Sequence, residues 1–194
     1  MTDIYSEHKD YFPYAEDKGD YYKKMKQNPF SNDTQPWYSE KEYRYNPKVR
    51  KAGKVTIMRG LPGSGKSTYV ADRFPGATVV SADNFFMVDG EYVFERGRIG
   101  EAHQDCWGTF IDALFDGKQH IVVDNTNMCG WEYAQYIKLA NKKGYEVEII
   151  CLQVGLLDDT PLSVLFERGT HGVPLATLEW MKGNFQPDIA EEYV

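Results

Sequence analysis

One glycine-rich stretch constrains this chain more than any other feature. It runs from Gly60 to Thr68 and fits the pattern G-x-x-x-x-G-K-[ST] at every fixed position. Residues 55–58, which precede it, are mainly apolar and β-branched, as is typical of a buried parallel strand. Residues 67–73 contain neither Gly nor Pro and can open a helix. The order predicts a strand, a phosphate-binding loop and a helix, whereas a chance glycine-rich turn would not need this context.

The residue types in this loop match what phosphate binding requires. Gly60, Gly63 and Gly65 let the backbone curl with its N–H groups pointing inward, where side chains would block a phosphate. Lys66 can reach the β- and γ-phosphates, and Ser67 offers a hydroxyl to Mg²⁺. We therefore predict that ATP and Mg²⁺ bind here. The predicted nucleotide-binding residues are Gly60, Leu61, Pro62, Gly63, Ser64, Gly65, Lys66, Ser67 and Thr68.

A second strand is predicted at residues 78–81, and it is followed by Asp83. In open parallel sheets, ligands bind at the carboxyl ends of the strands. Asp83 is therefore our candidate for the general base that accepts a proton from an attacking hydroxyl. The alternative is that Asp83 caps the N-terminus of a helix.

A third apolar strand, residues 120–123, runs directly into Asp124. A carboxylate in this position can hold Mg²⁺, so Ser67 and Asp124 are the predicted metal ligands. Thr126 and Asn127, together with Asn125, form a polar rim that could bind a substrate phosphate or base. For Asn125 and Asn127, local Asx-turn hydrogen bonds are an equal alternative.

A short helix is predicted at residues 161–167, with Thr160 as its N-cap and Pro161 at its first position. It is followed by Arg168 and a loop punctuated by glycines. A permanently charged guanidinium in such a lid could meet the γ-phosphate as negative charge shifts during transfer. The alternative is a solvated arginine that interacts favourably with the helix dipole.

The alternation of predicted strands and helices along the chain predicts a three-layer α/β fold of the P-loop NTPase type. We expect a parallel sheet of about four or five strands and a C-terminal helical lid. His103 lies on an apolar stripe, which favours a buried structural histidine over a catalytic one. The other predicted elements are helices at 96–115, 131–143 and 175–185, a fourth strand at 145–154 and an acidic tail at 186–194.

The first 52 residues differ from the rest, and we predict an aromatic-rich N-terminal arm at 1–52 and a P-loop domain at 53–194. Eight of the 14 tyrosines lie in the arm, whereas aliphatic residues are almost absent from it. One interpretation is an arm that stacks nucleic-acid bases on aromatic rings beside lysines and arginines. The alternative is an arm that wraps the surface of its own domain, because acidic residues are interleaved with the basic ones.

Charge and composition indicate which kinds of binding partner and which cellular location to expect. The net charge is −7, and most of the excess acid follows the arm, so the domain does not resemble a broad nucleic-acid platform. A short, locally basic groove is still compatible with this charge. The sequence shows neither a secretory signal nor an apolar run long enough to cross a bilayer. Cys106, Cys129 and Cys151 are odd in number and form no C-x-x-C, which predicts reduced thiols and a cytoplasmic location without a membrane partner. Nothing in the sequence indicates the oligomeric state.

Four segments together resemble those of a known kinase family. They are residues 59–68, Ser81-Ala82-Asp83, Asp124-Asn125-Thr126-Asn127, and Arg168-Gly169-Thr170 with Val173-Pro174. In this order they resemble the branch of P-loop kinases that contains the phage-type 5′-hydroxyl polynucleotide kinases. The resemblance covers about residues 53–185. It implies ATP-dependent phosphorylation of a nucleic-acid 5′-hydroxyl, with Asp83 as base, Arg168 as lid arginine and the segment containing Asp124 and Thr126 lining the acceptor pocket.

One position departs from the family pattern. The polynucleotide kinases typically carry an arginine three residues after the base aspartate, and Phe86 stands there in this chain. Other acceptors therefore remain open, namely a hydroxymethyl group on a modified DNA base or a small metabolite. A third possibility is an ATPase switch module without a phosphoacceptor.

Overall fold

The computed structural model describes residues 52–188 and 191–194. The predicted N-terminal arm lies outside the described residues, except for Ala52. Within the described part of the chain, five parallel strands form the main sheet in the order β2-β5-β1-β6-β7. These strands are β1 (Lys54–Arg59), β2 (Thr78–Val80), β5 (His120–Asp124), β6 (Glu146–Cys151) and β7 (Glu191–Tyr193). A two-stranded antiparallel hairpin is formed by β3 (Met87–Val88) and β4 (Glu91–Tyr92).

The helices alternate with the strands along the chain. They are α1 (Lys66–Arg73), α2 (Ile99–Phe115), α3 (Gly130–Lys142), α4 (Leu162–Arg168) and α5 (Leu175–Asn184). Two 3₁₀ turns, Ala82–Phe86 and Arg96–Arg98, flank the hairpin. This alternation confirms the predicted α/β class, because parallel strands need crossover connections that helices usually supply.

The three layers follow from the period-two alternation along the strands. Val55 and Ile57 of β1 point into the larger core cluster, where residues of α2 and α3 such as Phe110 and Ile137 pack against the sheet. Met58 points to the opposite face, into a smaller cluster that also contains Val70 of α1. The central strands are buried on both faces, as is usual in parallel sheets.

The C-terminal helices α4 and α5 pack beside the phosphate loop rather than on either face of the sheet. Leu165 of α4 and Leu178 of α5 join a separate buried cluster with Leu61 of the loop and Met128, which follows β5. We refer to α4, residues 169–174 and α5 as the lid. The predicted helical lid is therefore present, and it is anchored to the loop by apolar contacts.

Two local predictions were wrong. Residues 186–194 were predicted to be an acidic tail, but Glu191–Tyr193 form β7, the edge strand that pairs with β6. The acidic residues gave no strand pattern, and the strand forms only by pairing with β6, which lies far away in the sequence. The predicted Thr160 cap is also absent, since Pro161 occupies the N-cap position of α4 and makes no side-chain cap. Thr160 instead donates its hydroxyl to Asp158 at 2.9 Å.

Candidate active site

The candidate site lies at the carboxyl edge of the sheet, where β1 and β5 end side by side. Met58 is paired with Asp124 in the register of these strands. The loop that leaves β1 is tied to the segment that leaves β5, because the Gly60 amide donates to the Thr126 carbonyl at 3.1 Å. The strand order therefore places the predicted phosphate loop and the predicted metal carboxylate together.

The phosphate loop ends at α1 with an N-terminus open to an anion. Gly65 is the N-cap residue, in the left-handed conformation at φ 95°, and no acidic residue lies in the first turn of α1. The free amides and the positive end of the helix dipole therefore face the loop without a competing carboxylate. This is the arrangement that the glycine pattern predicts.

Gly63 is required by a protein contact as well as by its backbone conformation. Its φ is +75°, and a Cβ added there would lie 2.1 Å from the Leu165 carbonyl oxygen. Because that atom belongs to the backbone of α4, no side-chain movement could relieve the clash. The glycine at this position thus allows the lid to pack directly on the loop.

Lys66 is folded back on its own loop. Its Nζ donates to the Gly60 and Leu61 carbonyl oxygens, each at 3.0 Å. Burial lowers the pKa of Lys66 below its ordinary value, against the opposing influence of the Asp124 and Asp83 carboxylates. A buried ammonium held by neutral carbonyls gains a stronger partner when phosphate oxygens arrive.

Ser67 and Asp124 meet as the sequence predicts for two metal ligands. Ser67 Oγ donates to Asp124 Oδ2 at 2.7 Å. The other carboxylate oxygen, Asp124 Oδ1, is buried and has no hydrogen-bond partner among the described residues. An orphaned buried carboxylate oxygen is costly unless a cation or water satisfies it, so this pair fits Mg²⁺.

A dedicated protein cage for a metal is not found in the described part of the chain, where no group of three or more His, Cys, Asp or Glu side chains comes together. This pattern is compatible with Mg²⁺, which usually keeps several waters and binds one or two carboxylates together with substrate phosphates. Ser67 and Asp124 would supply the protein ligands.

Asp83 stands at the end of β2, in the 3₁₀ turn Ala82–Phe86. The backbone amide of Asp83 donates to Ser81 Oγ at 3.3 Å, so Ser81 and not Asp83 is the cap of this turn. The Asp83 side chain is half exposed and lines the same cavity as Lys66 and Asp124. The predicted base is therefore free of a capping role and faces the phosphate loop across one cavity.

The polar rim after β5 is partly used by the fold itself. Asn127 is buried at φ 46°, and its side-chain Nδ2 donates to the Met58 carbonyl at 2.8 Å. The Asn125 side-chain oxygen accepts from the Ala82 amide at 2.9 Å. These contacts hold the β1, β2 and β5 ends together, and Asn125, Thr126 and Asn127 all line the cavity.

A cavity of about 460 Å³ joins these groups to the lid. Arg168, at the C-terminus of α4, is exposed and lines this cavity. Of the described residues that line the cavity, Lys66 is the lysine and Arg168 is the arginine. Both side chains are therefore candidates to bind the phosphates of a nucleotide.

Aromatic side chains line another part of the cavity, and sequence reasoning assigned none of them to the site. Phe86 is buried, with its ring centroid 6.0 Å from that of Tyr92 and 5.1 Å from that of Phe94. Trp131 and Tyr136 of α3 line the same cavity. Their spacing in the chain gives no signal, because residues 86–94 are far from Trp131 and Tyr136 in the sequence and line one cavity only after folding.

Two further cavity residues were missed or placed elsewhere by the sequence. His103 was assigned to the core stripe of α2, but it is partly buried and lines the cavity, and burial lowers its pKa. Glu132 also lines the cavity, and its Oε2 accepts from the Cys129 amide at 2.8 Å. Burial raises the pKa of Glu132 to about 7.

Comparison with known proteins places the chain in a family. A family model described as an AAA domain matches residues 55–187. The chain belongs to this AAA domain family. The match begins in β1 and includes the phosphate loop, Asp124 and the lid. Family and fold together support a P-loop domain suited to nucleotide-dependent phosphate chemistry in general, while the narrower likeness to polynucleotide kinases stays a prediction.

The individual proteins that are similar to this chain match only part of its length. NEDD4-binding protein 2 of Homo sapiens is 36% identical over 97 residues, which is 48% of this chain and 5% of the human protein. The chain therefore spans only a small part of the length of that curated relative. Among solved structures, a gluconokinase from Sinorhizobium meliloti 1021 is similar at 16% identity and TM-score 0.42, covering 75% of this chain and 83% of the other. The Deinococcus radiodurans tunicamycin resistance protein is similar at 13% identity and TM-score 0.46, covering 73% and 85%.

Two other expectations can be compared with the structure. Cys106, Cys129 and Cys151 are buried free thiols, in agreement with the expectation of reduced cysteines. None of the helices in the described ranges is long and apolar enough to span a bilayer.

Proposed function

We propose that this chain is an ATP-dependent kinase that transfers the γ-phosphate to a hydroxyl, with a nucleic-acid 5′-hydroxyl as the acceptor. The observation that carries the proposal is the convergence of Lys66, Ser67, Asp124, Asp83 and Arg168 on one cavity. These are the parts that phosphoryl transfer needs: phosphate ligands, a metal site, a proton acceptor and a cation that balances the charge of the transferred group.

Each of these side chains has a chemical task in the proposed reaction. Lys66 leaves the loop carbonyls and binds the β- and γ-phosphates. Ser67 and Asp124 would hold Mg²⁺, which would neutralise phosphate charge. Asp83 accepts the proton of the acceptor hydroxyl. The hydroxyl oxygen then bonds to the γ-phosphorus, and the bond between the γ-phosphorus and the β-phosphate oxygen breaks. Arg168 balances the charge that develops on the transferred group.

An acceptor-free ATPase switch is the weaker alternative. The Asp83 carboxylate and the aromatic residues Phe86, Tyr92 and Trp131 line the same cavity as the phosphate loop, which supports a second substrate at this site. Aromatic rings stack on nucleic-acid bases irrespective of their sequence, which supports a nucleic-acid acceptor. The motifs from Asp124 to Asn127 and from Arg168 to Pro174, which resemble those of polynucleotide kinases, support it further.

The decisive assay offers labelled ATP and Mg²⁺ with an oligonucleotide bearing a 5′-hydroxyl. The expected result is label on the 5′ end, and none on a 5′-phosphorylated control. Label on hydroxymethyl-base DNA instead would replace the acceptor but keep the kinase. Release of inorganic phosphate alone, with every acceptor, would contradict the kinase proposal.

Two substitutions test the assignment of roles. We expect Asp83→Asn to lower transfer by about 10²–10⁴-fold, the usual contribution of a general base, and Lys66→Ala to leave a folded but nearly inactive protein. Asp112→Asn, on the exposed surface of α2, and Lys118→Ala, before β5, are matched controls away from the cavity. Full transfer by Asp83→Asn would discard the base assignment.

A further inference from the structure

Both oxygens of the Asp83 carboxylate have partners from outside its own segment. The Tyr92 hydroxyl donates to Asp83 Oδ1 at 3.1 Å. His171 Nε2 lies 3.5 Å from Asp83 Oδ2. The side chain of Asp83 is 52% exposed, so without these contacts it would be free to rotate in water.

The two partners come from different parts of the fold. Tyr92 ends β4 of the hairpin, and His171 lies in the lid, three residues beyond Arg168. Their rings are in contact, with centroids 4.2 Å apart and planes inclined by 46°. Tyr92 is in turn supported by Phe86 and Phe94, with ring centroids 6.0 and 6.3 Å away. The lid thus contacts the proposed base directly through His171, and the His171 ring also packs against Tyr92, the other partner of Asp83.

We propose that Tyr92 and His171 are positioning residues that orient the Asp83 carboxylate, so that alignment of the base is coupled to closure of the lid that carries Arg168. This inference rests on the proposed kinase function. It adds two residues that no motif singles out, and it assigns them to proton removal from the acceptor rather than to the binding of ATP.

The chemistry of a carboxylate shows why two partners would help. Each carboxylate oxygen has two lone pairs, so one contact to each oxygen fixes the plane of the group and leaves acceptor capacity for the substrate hydroxyl. In the transfer step the hydroxyl O–H bond breaks, the proton passes to Asp83, and the freed electron pair forms the new O–P bond. The bond from the γ-phosphorus to the β-phosphate oxygen breaks, and ADP leaves with that electron pair. Small misplacements of reacting groups are costly, on the order of 10²-fold for 1 Å.

These contacts are poor candidates for a purely structural role. His171 and Asp83 are 36% and 52% exposed, and pairs exposed to this degree contribute little to folding stability. Removing them should therefore change the rate of transfer and leave the melting temperature of the protein nearly unchanged. A structural role would produce the opposite result.

The experiment uses the full chain with Tyr92→Phe, His171→Ala and His171→Gln. Tyr92→Phe keeps the ring stack but removes the hydroxyl, and His171→Gln keeps a side-chain N–H donor. We expect Tyr92→Phe and His171→Ala to lower kcat for transfer by about 10-fold or more, within the range for a misaligned base, with little change in KM for ATP. His171→Gln should recover part of the lost rate.

Matched controls lie at the other end of the sheet. Tyr145 precedes β6 and His120 begins β5, so Tyr145→Phe and His120→Gln make the same chemical changes away from the cavity. Their kcat should equal that of the wild type. A second test combines Tyr92→Phe with Asp83→Asn. In the Asp83→Asn background the tyrosine change should not lower kcat further, because Tyr92 acts through the base.

The outcomes separate this inference from the proposed function. If the wild type transfers no phosphate to any hydroxyl, the kinase proposal fails and this inference fails with it. If the wild type is active and Asp83→Asn is not, but Tyr92→Phe and His171→Ala retain full kcat, the inference alone is overturned. Equal effects of Tyr92→Phe with and without Asp83→Asn would also overturn it.

Discussion

Arg59 and Glu191 form an ion pair in which both side chains are fully buried. Arg59 is the last residue of β1, immediately before the phosphate loop, and Glu191 begins the edge strand β7. The Arg59 guanidinium also donates to the backbone carbonyls of Asn127 at 2.7 Å and Met128 at 2.9 Å, in the segment that follows β5. The buried side chain of Arg59 therefore connects the start of the phosphate loop, the segment that follows β5 and the C-terminal strand β7.

The first prediction concerns this pair. Glu191→Gln leaves the Arg59 charge buried without its counter-ion, and breaking a buried pair in this way typically costs about 3–5 kcal/mol. Urea denaturation should show a loss of that order. Glu192→Gln, on the exposed neighbouring residue, should leave the stability within about 0.5 kcal/mol of the wild type. A similar loss in both variants would contradict the assignment.

The second prediction concerns Mg²⁺. Ser67→Ala removes both a proposed metal ligand and the hydrogen bond to Asp124. The Mg²⁺ concentration for half-maximal activity should therefore rise by about 10-fold or more, since loss of even an outer-shell partner costs this much. Ser67→Thr keeps the hydroxyl and should behave like the wild type. The measurement is transfer activity as a function of Mg²⁺ concentration. Chelation of Mg²⁺ should abolish the activity of the wild type and of Ser67→Thr. An unchanged Mg²⁺ dependence in Ser67→Ala would remove this residue from the metal site.

The third prediction concerns the lid arginine. Arg168→Lys keeps the charge but loses the planar, forked guanidinium, so kcat should fall by roughly 10³-fold, the lower end for arginines that stabilise phosphoryl transfer, with little effect on ATP affinity. Arg73 also lies in the last turn of a helix, α1, and is exposed. Arg73→Lys is therefore the control for a contribution from the helix dipole alone. Equal kcat in Arg168→Lys and the wild type would favour the solvated-arginine alternative.

The fourth prediction concerns the pH dependence of stability. Burial raises the pKa of Glu132 from its ordinary value of 4.5 to about 7 in the folded chain. The folded state therefore holds this proton more tightly than the unfolded state. The resulting stability is fully present below about pH 4.5 and is lost as the pH rises towards 7.

Glu132→Gln tests this pH dependence. Glutamine keeps an oxygen for the Cys129 amide but cannot ionise. Chemical denaturation at pH 5 and pH 8 should show a smaller pH-dependent loss of stability in this variant than in the wild type. Glu179→Gln, on the exposed surface of α5, should retain the wild-type difference between the two pH values. The same difference in all three proteins would show that Glu132 does not titrate in this range.

Much of the domain was predictable because it depends on local pattern. The glycine loop, its strand and its helix lie where the sequence predicts them, and Asp124 ends β5 as expected. The prediction of four or five parallel strands is confirmed by the five-stranded sheet. These features follow from apolar periodicity and backbone requirements, which act over a few residues.

The long-range contacts were not predictable in the same way. Glu191 and Tyr193 read as part of a polar tail, and only pairing with β6 makes them a strand. His171 stands at a variable position in its motif, and its contact with Tyr92 exists because the lid folds over the hairpin.

The sequence by itself determined a phosphate loop on a parallel α/β sheet, since those choices depend on residues adjacent in the chain. The tertiary structure decided which side chains face Asp83, how the lid sits on Gly63 and what neutralises Arg59. The physical reason is that burial, charge pairing and ring contacts depend on distances between segments that are far apart in sequence, and these distances are set only when the helices and strands pack together.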